Sequence, residues 1–344
     1  MSGRGADAAP TRRRSSGRER PRVRAGAVVV GVVLGTGAAG VLFADRLGVD
    51  HRTPFVQLVA FRPQMAAGLV VLALLLGVLG RRTRAALPAA LALGLVGALG
   101  VAVVVPRSAA GAAPGGAEGR TLTVLTLNTY LGRADATAVA DIVRERRPDL
   151  VALPEAGGDL RRELTALLDD DAGGVGYRSS VADAADDASP MTVFVARVLG
   201  RPAVTEDRKG TFPAIVVDLP GVGGGLRFVA VHPQSPKPGD TRAWRRDIAD
   251  LARWCSAGRP TVVAGDMNAT VDHREFREAT AGCTDAATSA GDGLTGTWPA
   301  GLPRMLGAQI DHVLLAGGPR AIGVEVLDVG GTDHRAVLAT LSPG

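Results

Sequence analysis

Aromatic residues are scarce in this chain of 344 residues: only 3% are Phe, Trp or Tyr, although 46% are hydrophobic. Aliphatic residues, Ala and Gly therefore supply the apolar mass, and that mass is unevenly distributed. Residues 25–105 contain most of the uncharged apolar runs, whereas the rest resembles an ordinary soluble domain. The length allows one large domain or two modest ones, and the uneven hydrophobicity indicates two different kinds of structure in one chain.

Lysine is absent from the first 120 residues, and charge is as uneven as hydrophobicity. Residues 1–120 contain 16 Arg against 5 acidic residues, a net charge of +11. Residues 121–344 contain 23 Lys or Arg against 29 Asp or Glu, a net charge of −6. The overall pI of about 9.9 therefore does not describe the soluble part. Its acidity gives no support to the binding of duplex DNA.

Cysteine is nearly absent, since Cys255 and Cys283 are the only two in the sequence. Both fall in the soluble part. An extracytoplasmic location would permit a disulfide bond between them, and two buried free thiols are the alternative. The sequence does not contain the Cα separation that decides between these alternatives.

Charged residues are missing from three runs in the first third of the chain, at 25–44, 63–80 and 85–105. Each run has about the length of the roughly 20 residues that cross a hydrocarbon core of ~30 Å. One such run alone could be a buried core helix. Three of them within residues 25–105, without polar faces, predict three transmembrane helices in a membrane domain at 25–106.

Positive charge in the flanking segments predicts the orientation of these spans. The tail 1–24 contains eight Arg and the loop 81–84 contains three, whereas the loop 45–62 balances three Arg with two Asp. We therefore expect the basic tail and the second loop in the cytoplasm, and residues after Pro106 outside it. A cleaved signal peptide is the alternative for the first run, but the length of that run and the two runs after it favour retention. The expected location is the cell membrane, with multiple passes.

The segment 107–120 is rich in small residues and lacks periodicity, so we interpret it as a flexible linker. Residues 121–344 then mix strand and helix patterns. Strands are predicted at 122–127, 149–153, 191–196, 214–219, 226–231, 261–264, 309–315, 321–329 and 336–341, and helices at 136–147, 159–168 and 241–255. This mixture predicts one α/β domain in which helices are layered against sheet.

Polar residues that can bind metal or phosphate recur where the predicted strands end. Strand termini are rigid platforms on which layered α/β proteins assemble active sites. Carboxylates hold hard cations through oxygen, amides donate to phosphoryl oxygens, and a His paired with an Asp is an oriented base. The residues at these positions are Asn128, Glu155, His232, Asp266, Asn268, Asp311, His312, Asp333 and His334.

Single residues of this set also have structural interpretations. Asn is common in turns, Glu155 fits a solvated loop, and Asp266 fits a helix cap. Asp311 is harder to explain in this way, because a carboxylate inside an apolar strand is costly unless it is paired. His312 alternates to the opposite face of that strand, so we interpret it as structural.

Six short segments carry these residues: Leu127-Asn128, Leu153-Pro154-Glu155, Val231-His232, Gly265-Asp266-Met267-Asn268, Ile310-Asp311-His312 and Thr332-Asp333-His334-Arg335. Their order and type resemble the motifs of the endonuclease/exonuclease/phosphatase superfamily, the deoxyribonuclease-like metal-dependent phosphoesterases. The resemblance covers residues 121–341. It implies an α/β fold, a layered sandwich of two packed mixed β-sheets flanked by helices, here preceded by about three transmembrane helices.

The resemblance also implies a metal site for Mg²⁺ or Mn²⁺. Glu155 resembles the principal metal ligand, Asn128 supports the site, and Asp333 lies at its edge. Tyr130 occupies a position where several nuclease relatives place another polar residue of the metal site, so the ligand set is expected to be thinner here.

The remaining motif residues resemble the catalytic group of the superfamily. Asp266 would orient or deprotonate the attacking water, Asn268 would bind the phosphoryl group, and His232 would stabilise its charge. His334 resembles the terminal histidine, oriented by Asp311. Either Asp266 or the Asp311–His334 pair is the general base.

Two further positions bear on the rim of the site. Pro233 stands where relatives usually have an aliphatic residue, so the loop 233–240 is expected to have its own geometry. The Thr297-Trp298 pair resembles a substrate-rim element of the superfamily, and a core Trp is the alternative.

The sequence therefore predicts a membrane-anchored, extracytoplasmic phosphoesterase that directs water onto phosphorus with a metal ion. Its expected partners are the lipid bilayer and a phosphate-ester substrate, either nucleic acid or phospholipid, and no protein partner is expected. The breadth of the superfamily favours a nuclease. The acidic domain and the membrane tether favour a lipid-directed phosphodiesterase or phosphatase. A catalytically inactive binding module is a third hypothesis, which the full set of metal and base residues disfavours.

Overall fold

The structure is a computed structural model that describes residues 25–109, 111, 120–169, 176–183, 189–256 and 258–342. The predicted basic tail at 1–24 and most of the predicted linker at 107–120 lie outside the described residues. The helices are α1 Ala25–Leu42, α2 Phe55–Val59, α3 Arg62–Thr83, α4 Leu87–Val104, α5 Ala136–Arg146, α6 Gly158–Asp169, α7 Arg242–Asp250, α8 Ala252–Cys255, α9 Arg274–Ala279 and α10 Ala286–Ala290. The strands are β1 Leu122–Thr126, β2 Leu150–Pro154, β3 Tyr177–Ala182, β4 Met191–Ala196, β5 Ala203–Asp207, β6 Ala214–Leu219, β7 Leu226–Ala230, β8 Thr261–Asp266, β9 Thr284–Asp285, β10 Asp311–Ala316, β11 Arg320–Leu327 and β12 Ala336–Ser342.

Helices α1, α3 and α4 are long and apolar enough to cross a membrane, with mean hydropathies of 2.1, 2.0 and 2.4. Small residues allow them to approach one another closely. A Cβ on Gly31 would lie 2.7 Å from the backbone of Pro88, and one on Gly97 would lie 2.9 Å from the backbone of Val70. Close contact through small residues is how helices associate in lipid. The prediction of three apolar helices near the N-terminus is confirmed.

Two six-stranded sheets form the α/β domain, as predicted. The first has the order β11-β12-β1-β2-β4-β3 and the second β5-β6-β7-β8-β10-β9. Each sheet is mixed, because β1 pairs with β2 and β7 with β8 in parallel, whereas the other neighbours are antiparallel. Buried side chains from both sheets form the central core, including Val124 and Ala152 from one and Phe228 and Val262 from the other. Helices α5 and α6 cover the first sheet, and α7 and α9 cover the second.

Sequence patterns missed the elements that bury few side chains. Strand β5 is exposed along most of its length, and β3 is only partly buried. Neither shows the apolar pattern by which strands are recognised. The single helix predicted at 241–255 is two helices, α7 and α8, separated at Leu251. The loop predicted between the first two spans contains α2, which is too short for a periodic signal.

Cys255 at the end of α8 and Cys283 just before β9 form a disulfide bond, with their Cα atoms 5.0 Å apart. The structure therefore decides between the two alternatives that the sequence left open. The bond ties together two segments that cover the second sheet, and it closes a loop between residues that are 28 positions apart in the sequence. Such a crosslink stabilises the fold mainly by restricting the unfolded chain.

A network of buried charges joins the N-terminal helices to the α/β domain. Arg62, at the start of α3, is 2% exposed; it pairs with Asp45 and, at 2.8 Å, with Asp272. Arg107, just after α4, donates to both carboxylate oxygens of Asp272 at 2.7 and 2.5 Å. Arg277 on α9 donates to Asp45 at 2.6 Å. The ends of α1, α3 and α4 nearest these residues therefore meet the same face of the α/β domain.

Neutral hydrogen bonds extend this contact. In the first turn of α3, Gln64 Nε2 donates to the carbonyl oxygens of Met305, at 3.0 Å, and Gly307, at 2.7 Å. On α2, Gln57 Nε2 donates to the carbonyl oxygen of Pro236 at 3.2 Å. The loops that contain Pro236 and Met305 thus lie against the ends of the apolar helices.

Replacing Asp272 tests whether the buried network holds the two parts of the chain together. Asp272→Ala removes a buried carboxylate that Arg62 and Arg107 share and leaves Asp45 as the counter-charge of Arg62. We therefore expect a loss of about 3 kcal/mol in the free energy of unfolding, the lower end of the range for breaking a buried ion pair. The measurement is thermal unfolding of the full chain in detergent. Glu325→Ala is the matched control, since Glu325 pairs with Arg146 at the exposed surface and such pairs contribute at most about 1 kcal/mol. Equal stability of the two variants would contradict the prediction.

Candidate active site

Parallel strand pairs place four of the predicted site residues at one edge of the sandwich. Asn128 and Glu155 follow β1 and β2, which are parallel neighbours in the first sheet. His232 follows β7, and Asp266 ends β8, its parallel neighbour in the second sheet. Because parallel strands end at the same edge of a sheet, each pair is brought together. The packing of the two sheets then brings the pairs face to face.

The strands β8 and β10 add a third carboxylate. Asp311 is the direct cross-strand partner of Asp266 in this antiparallel pair. Asp311 is fully buried, and its Oδ2 lies 2.9 Å from His334 Nδ1. The structure thus pairs the buried carboxylate with the histidine that precedes β12.

Gly265 permits the close approach of β7 and β8 at the site. Its φ is +153°, and a Cβ at this position would lie 1.8 Å from the carbonyl oxygen of Val231. No other residue can be accommodated there without moving one of the strands. The glycine of the Gly265-Asp266-Met267-Asn268 segment therefore has a steric function beside the polar residues that follow it.

Asn128 links the carboxylates of the two sheets. Its Nδ2 donates to Glu155 Oε1 at 3.1 Å and to Asp266 Oδ2 at 2.9 Å. Its Oδ1 accepts from the backbone N–H of Tyr130 at 2.9 Å. The other oxygen of Glu155 accepts from the backbone N–H of Leu131 at 2.8 Å. In this arrangement Asn128 holds the two acids with its nitrogen, so ligation of a metal by its oxygen requires rotation of the amide.

His232 and Asn268 lie beside these carboxylates. His232 Nε2 is 3.5 Å from Asp266 Oδ2 and 3.8 Å from Glu155 Oε1. Asn268 Nδ2 lies 3.3 Å from His232 Nε2 and donates to the carbonyl oxygen of Pro233 at 3.0 Å. The backbone N–H of Asn268 donates to Asp266 Oδ1 at 2.8 Å. All these side chains therefore contact one polar centre.

Backbone strain marks two of the site residues. Glu155 has φ +64° and Asn268 has φ +47°. Asn tolerates this left-handed region, but a Glu there is unusual. Strained residues concentrate at functional sites, where surrounding contacts hold them in place. Here the hydrogen bonds to both oxygens of Glu155 supply those contacts.

The sequence did not single out Phe212, and it left Trp298 between two interpretations. Phe212 stacks on the ring of His232 with centroids 5.1 Å apart, and no motif marks it. Trp298 is only partly buried, and its Nε1 donates to Asp333 Oδ2 at 3.0 Å. It therefore belongs to the rim and not to the core. Arg335, the last residue of its motif, is buried and organises this rim.

The electrostatics of the site keep Asp266 charged and His334 protonated. Burial alone would lower the pKa of His334, but the carboxylates of Asp311 and Asp266 raise it to about 10. Burial would likewise raise the pKa of Asp266, but His334 and His232 lower it to about 2. His334 Nε2 lies 3.8 Å from Asp266 Oδ2 and 4.0 Å from Asp333 Oδ1. Acceptors therefore face both nitrogens of His334.

The donor set fits a hard divalent cation. Glu155 and Asp266 are held against the same amide nitrogen, and the side chain of Asp333 is 42% exposed at the edge of the site. Asp266, Asp311 and His334 each offer a ligand atom, all within 4.8 Å of one another. Because Asp311 is already bonded to His334, the oxygens of the other carboxylates are the better ligands. One or two carboxylates with water complete the coordination that Mg²⁺ prefers.

Two packed mixed sheets, with acids, amides and a His–Asp pair gathered at one edge, define a deoxyribonuclease-like phosphoesterase. The Endonuclease/Exonuclease/phosphatase family matches residues 125–334, which is more than half of the chain. The chain belongs to this family. Its members are metal-dependent phosphoesterases, and the chain is accordingly a hydrolase that acts on ester bonds.

Solved structures show the same fold. A family protein from Bacteroides vulgatus has a TM-score of 0.50 and 16% identity, covering 65% of this chain and 99% of that chain. One from Leptotrichia buccalis has a TM-score of 0.50 and 10% identity, covering 64% and 99%. A mannosyl-6-phosphatase from Bacteroides thetaiotaomicron has a TM-score of 0.49 and 15% identity, covering 64% and 99%. At these identities, the likeness to the first two structures concerns the fold alone. No curated protein matches the sequence significantly.

His312 belongs to the core, as predicted. Its Nδ1 lies 2.7 Å from Asp285 Oδ2, and its Nε2 faces the carbonyl oxygens of Ala269, at 3.0 Å, and Gln309, at 3.1 Å. Because acceptors face both nitrogens, only the imidazolium form satisfies them. Burial alone would lower the pKa of His312, but Asp285 and the carbonyls raise it above 6.5.

The charge state of His312 is testable by NMR of histidine-labelled full-length protein. We expect an imidazolium at pH 7.5, when an ordinary histidine is neutral. His273 is the internal control: its Nδ1 accepts from the N–H of Thr270 at 3.0 Å, its Nε2 lies 2.8 Å from the carbonyl oxygen of Val56, and burial lowers its pKa.

The same charge predicts a pH dependence of stability. Since the folded-state pKa of His312 is raised, its contribution is fully present below pH 6.5 and is lost as pH rises through the folded-state value. Thermal stability should therefore fall more steeply with alkaline pH in the wild type than in His312→Gln. A neutral His312 at pH 7.5 would contradict both expectations.

Proposed function

We propose that this chain is a membrane-anchored phosphoesterase whose active site faces outside the cytoplasm and uses Mg²⁺ or Mn²⁺. The observation that carries the proposal is the meeting of Glu155 and Asp266 at the amide of Asn128. A buried Asp311–His334 pair lies beside them. Two carboxylates held together in a largely buried site need a cation to balance their charge. A domain that only bound a ligand would not need a histidine oriented by a carboxylate in addition to these two acids.

Glu155 holds the cation in this proposal, with Asp333 at the edge of its site and Asn128 positioning Glu155. The bound cation supplies Lewis-acid stabilisation of charge on the phosphoryl oxygens. Asn268 and His232 bind the phosphoryl group, because their side-chain nitrogens face the same centre.

We assign the role of general base to Asp266, which accepts the proton of the attacking water. The sequence left this role open between Asp266 and the Asp311–His334 pair. Asp266 Oδ1 is held by the backbone N–H of Asn268, and its Oδ2 faces the site. His334 keeps a proton on each nitrogen, since Asp311 faces Nδ1 and Asp266 and Asp333 face Nε2. Its Nε2–H is therefore a donor to the phosphate or to the leaving oxygen.

Three observations support the extracytoplasmic orientation. Asp45, in the loop between α1 and α3, and Arg62, at the start of α3, contact the α/β domain. This loop and the domain are therefore on one side of the helices. The three Arg of the loop 81–84 are at the opposite end, which fits cytoplasmic positive charge. The disulfide between Cys255 and Cys283 fits an oxidising compartment.

The metal and proton roles are testable on the full chain in detergent with bis(p-nitrophenyl) phosphate. His334→Ala should lower kcat by about 10²–10⁴, the range for losing a group that transfers or donates a proton. Glu155→Gln should raise the Mg²⁺ concentration for half-maximal activity by at least roughly tenfold, since even partners of metal ligands have effects of this size. Glu163→Gln, on the exposed face of α6, is the matched control. Unchanged metal dependence in Glu155→Gln would remove Glu155 from the site.

Topology is tested with alkaline phosphatase, which is active only outside the cytoplasm. A fusion after Gly344 should be active and one after Arg84 inactive, because the α/β domain and the Arg-rich loop are assigned to opposite sides. The reverse pattern would overturn the orientation.

A further inference from the structure

The site residues form the floor of a cavity of about 650 Å³. One wall is the loop 233–240, including Gln234, Ser235 and Lys237, and Tyr130 and Leu131 also line the cavity. This volume accommodates a phosphorylated headgroup. The cavity is also partly open to the surroundings. What surrounds its mouth therefore determines which substrates reach the floor.

The wall loop is docked on the outer end of the membrane helices. The carbonyl oxygen of Pro236 accepts from Gln57 on α2 at 3.2 Å, and the N–H of Gly239 donates to Thr53 Oγ1 at 3.1 Å. Helix α2 ends at Val59, and the apolar helix α3 begins at Arg62. One wall of the cavity is thus held at the level where a membrane span begins.

A second loop beside the cavity is held at the same level and exposes apolar side chains. Gln64, the third residue of α3, binds the backbone of Met305 and Gly307. At a rise of about 1.5 Å per residue, Gln64 lies only a few ångströms along the span. The exposed fractions are 75% for Met305, 47% for Leu306 and 43% for Leu302. These exposed side chains therefore lie on a loop that is held at the start of α3.

This apolar loop is rigidly attached to the site. Arg335, the neighbour of His334, donates to the carbonyl oxygens of Ala300, at 2.7 Å, and Leu302, at 2.6 Å. The N–H of Ala300 donates to the carbonyl oxygen of Asp333 at 2.7 Å. These hydrogen bonds join the loop directly to the segment that contains the site residues 333–334.

Exposed apolar residues are concentrated on two segments, one lining the cavity and the other the second loop. Tyr130 and Leu131, which line the cavity, are 41% and 52% exposed. In the part of the α/β domain that the structure describes, the other exposed large apolar residues are Val198, Val204 and Ile322, which are scattered on β5, β11 and the turn after β4. An apolar patch of this kind marks a surface that contacts another apolar phase, and the adjoining membrane span identifies that phase as lipid.

We infer that the active site opens at the bilayer surface and that its substrate is a phosphate ester carried by a membrane lipid. The inference rests on the proposed phosphoesterase function and names its substrate class. Met305, Leu306 and Leu302 enter the headgroup region of the outer leaflet, as apolar side chains of interfacial proteins do. A lipid phosphate then reaches the floor of the cavity by lateral diffusion within the leaflet.

Charge argues against nucleic acid as the alternative. The soluble part of the sequence has a net charge of −6, and Lys237 is the one Lys or Arg among the described residues that line the cavity. Binding of a nucleic acid needs a series of basic contacts along its backbone. A single lipid phosphate needs only the site residues and a metal ion.

The test uses the full chain reconstituted in vesicles with Mg²⁺ or Mn²⁺. Three lipids distinguish the sources of the phosphate: phosphatidylglycerol as a diester, phosphatidic acid as a monoester, and a polyprenyl diphosphate. Bis(p-nitrophenyl) phosphate, p-nitrophenyl phosphate and plasmid DNA are the water-soluble comparisons. We expect metal-dependent hydrolysis of at least one lipid.

The double variant Met305→Asp, Leu306→Asp separates access to lipid from chemistry. Loss of apolar contact with the leaflet should lower lipid turnover by about tenfold or more and leave the soluble esters within about twofold of wild type. Val198→Asp, at a position 60% exposed in the turn after β4, is the matched control and should leave both activities unchanged.

The outcomes separate this inference from the proposed function. Hydrolysis of soluble esters without hydrolysis of any lipid overturns the lipid substrate and retains the phosphoesterase. Faster cleavage of plasmid DNA than of lipid also overturns the lipid substrate. An equal loss of lipid turnover and of soluble-ester turnover in the double variant overturns it too. Absence of hydrolysis on every substrate, with metal bound, overturns the proposed function and the inference together.

Discussion

The hydrogen bonds from Asn128 to Glu155 and Asp266 are the contacts on which the site depends. They join an acid of the first sheet to an acid of the second, and so they exist only when the two sheets are packed at this edge. Two neighbouring carboxylates repel each other, and burial increases that repulsion. The amide nitrogen, the nearby histidines and a cation offset it. The geometry of the site at this edge therefore depends on how the two sheets pack through their apolar core.

The buried charges around Asp272 fix how the apolar helices lie against the α/β domain, as Asn128 fixes how the acids of the two sheets lie at the site. Arg62 and Arg107 come from the ends of two apolar helices, and both bind this one carboxylate. Buried ion pairs contribute little net stability but strongly favour one geometry, because any other leaves a charge unpaired. The cavity consequently has a defined position relative to the apolar helices.

Strands in the core were predictable because their residues are apolar almost without interruption, as in Met191–Ala196 and Ala214–Leu219. Strand β5 was not, because most of its side chains are exposed and its place in the sheet comes from backbone pairing with β6. The polar residues that meet at the edge of the sandwich were predictable as a set through the order of the six segments. Phe212 and the amide orientation of Asn128 were not, since neither has a local signature. Trp298 was ambiguous for the same reason: rim and core tryptophans look alike in a sequence.

Three apolar helices, an acidic α/β domain and the order of the polar segments were properties of the sequence alone, because hydrophobicity, charge and strand-end positions are local along the chain. The disulfide, the imidazolium of His312 and the contact of Gln64 with Met305 were decided only by tertiary structure. Each depends on a distance between residues far apart in the chain, and pairwise distances follow from how the two sheets and the helices pack. The same packing sets where the cavity lies relative to the three apolar helices, which the residues that line it could not reveal by themselves.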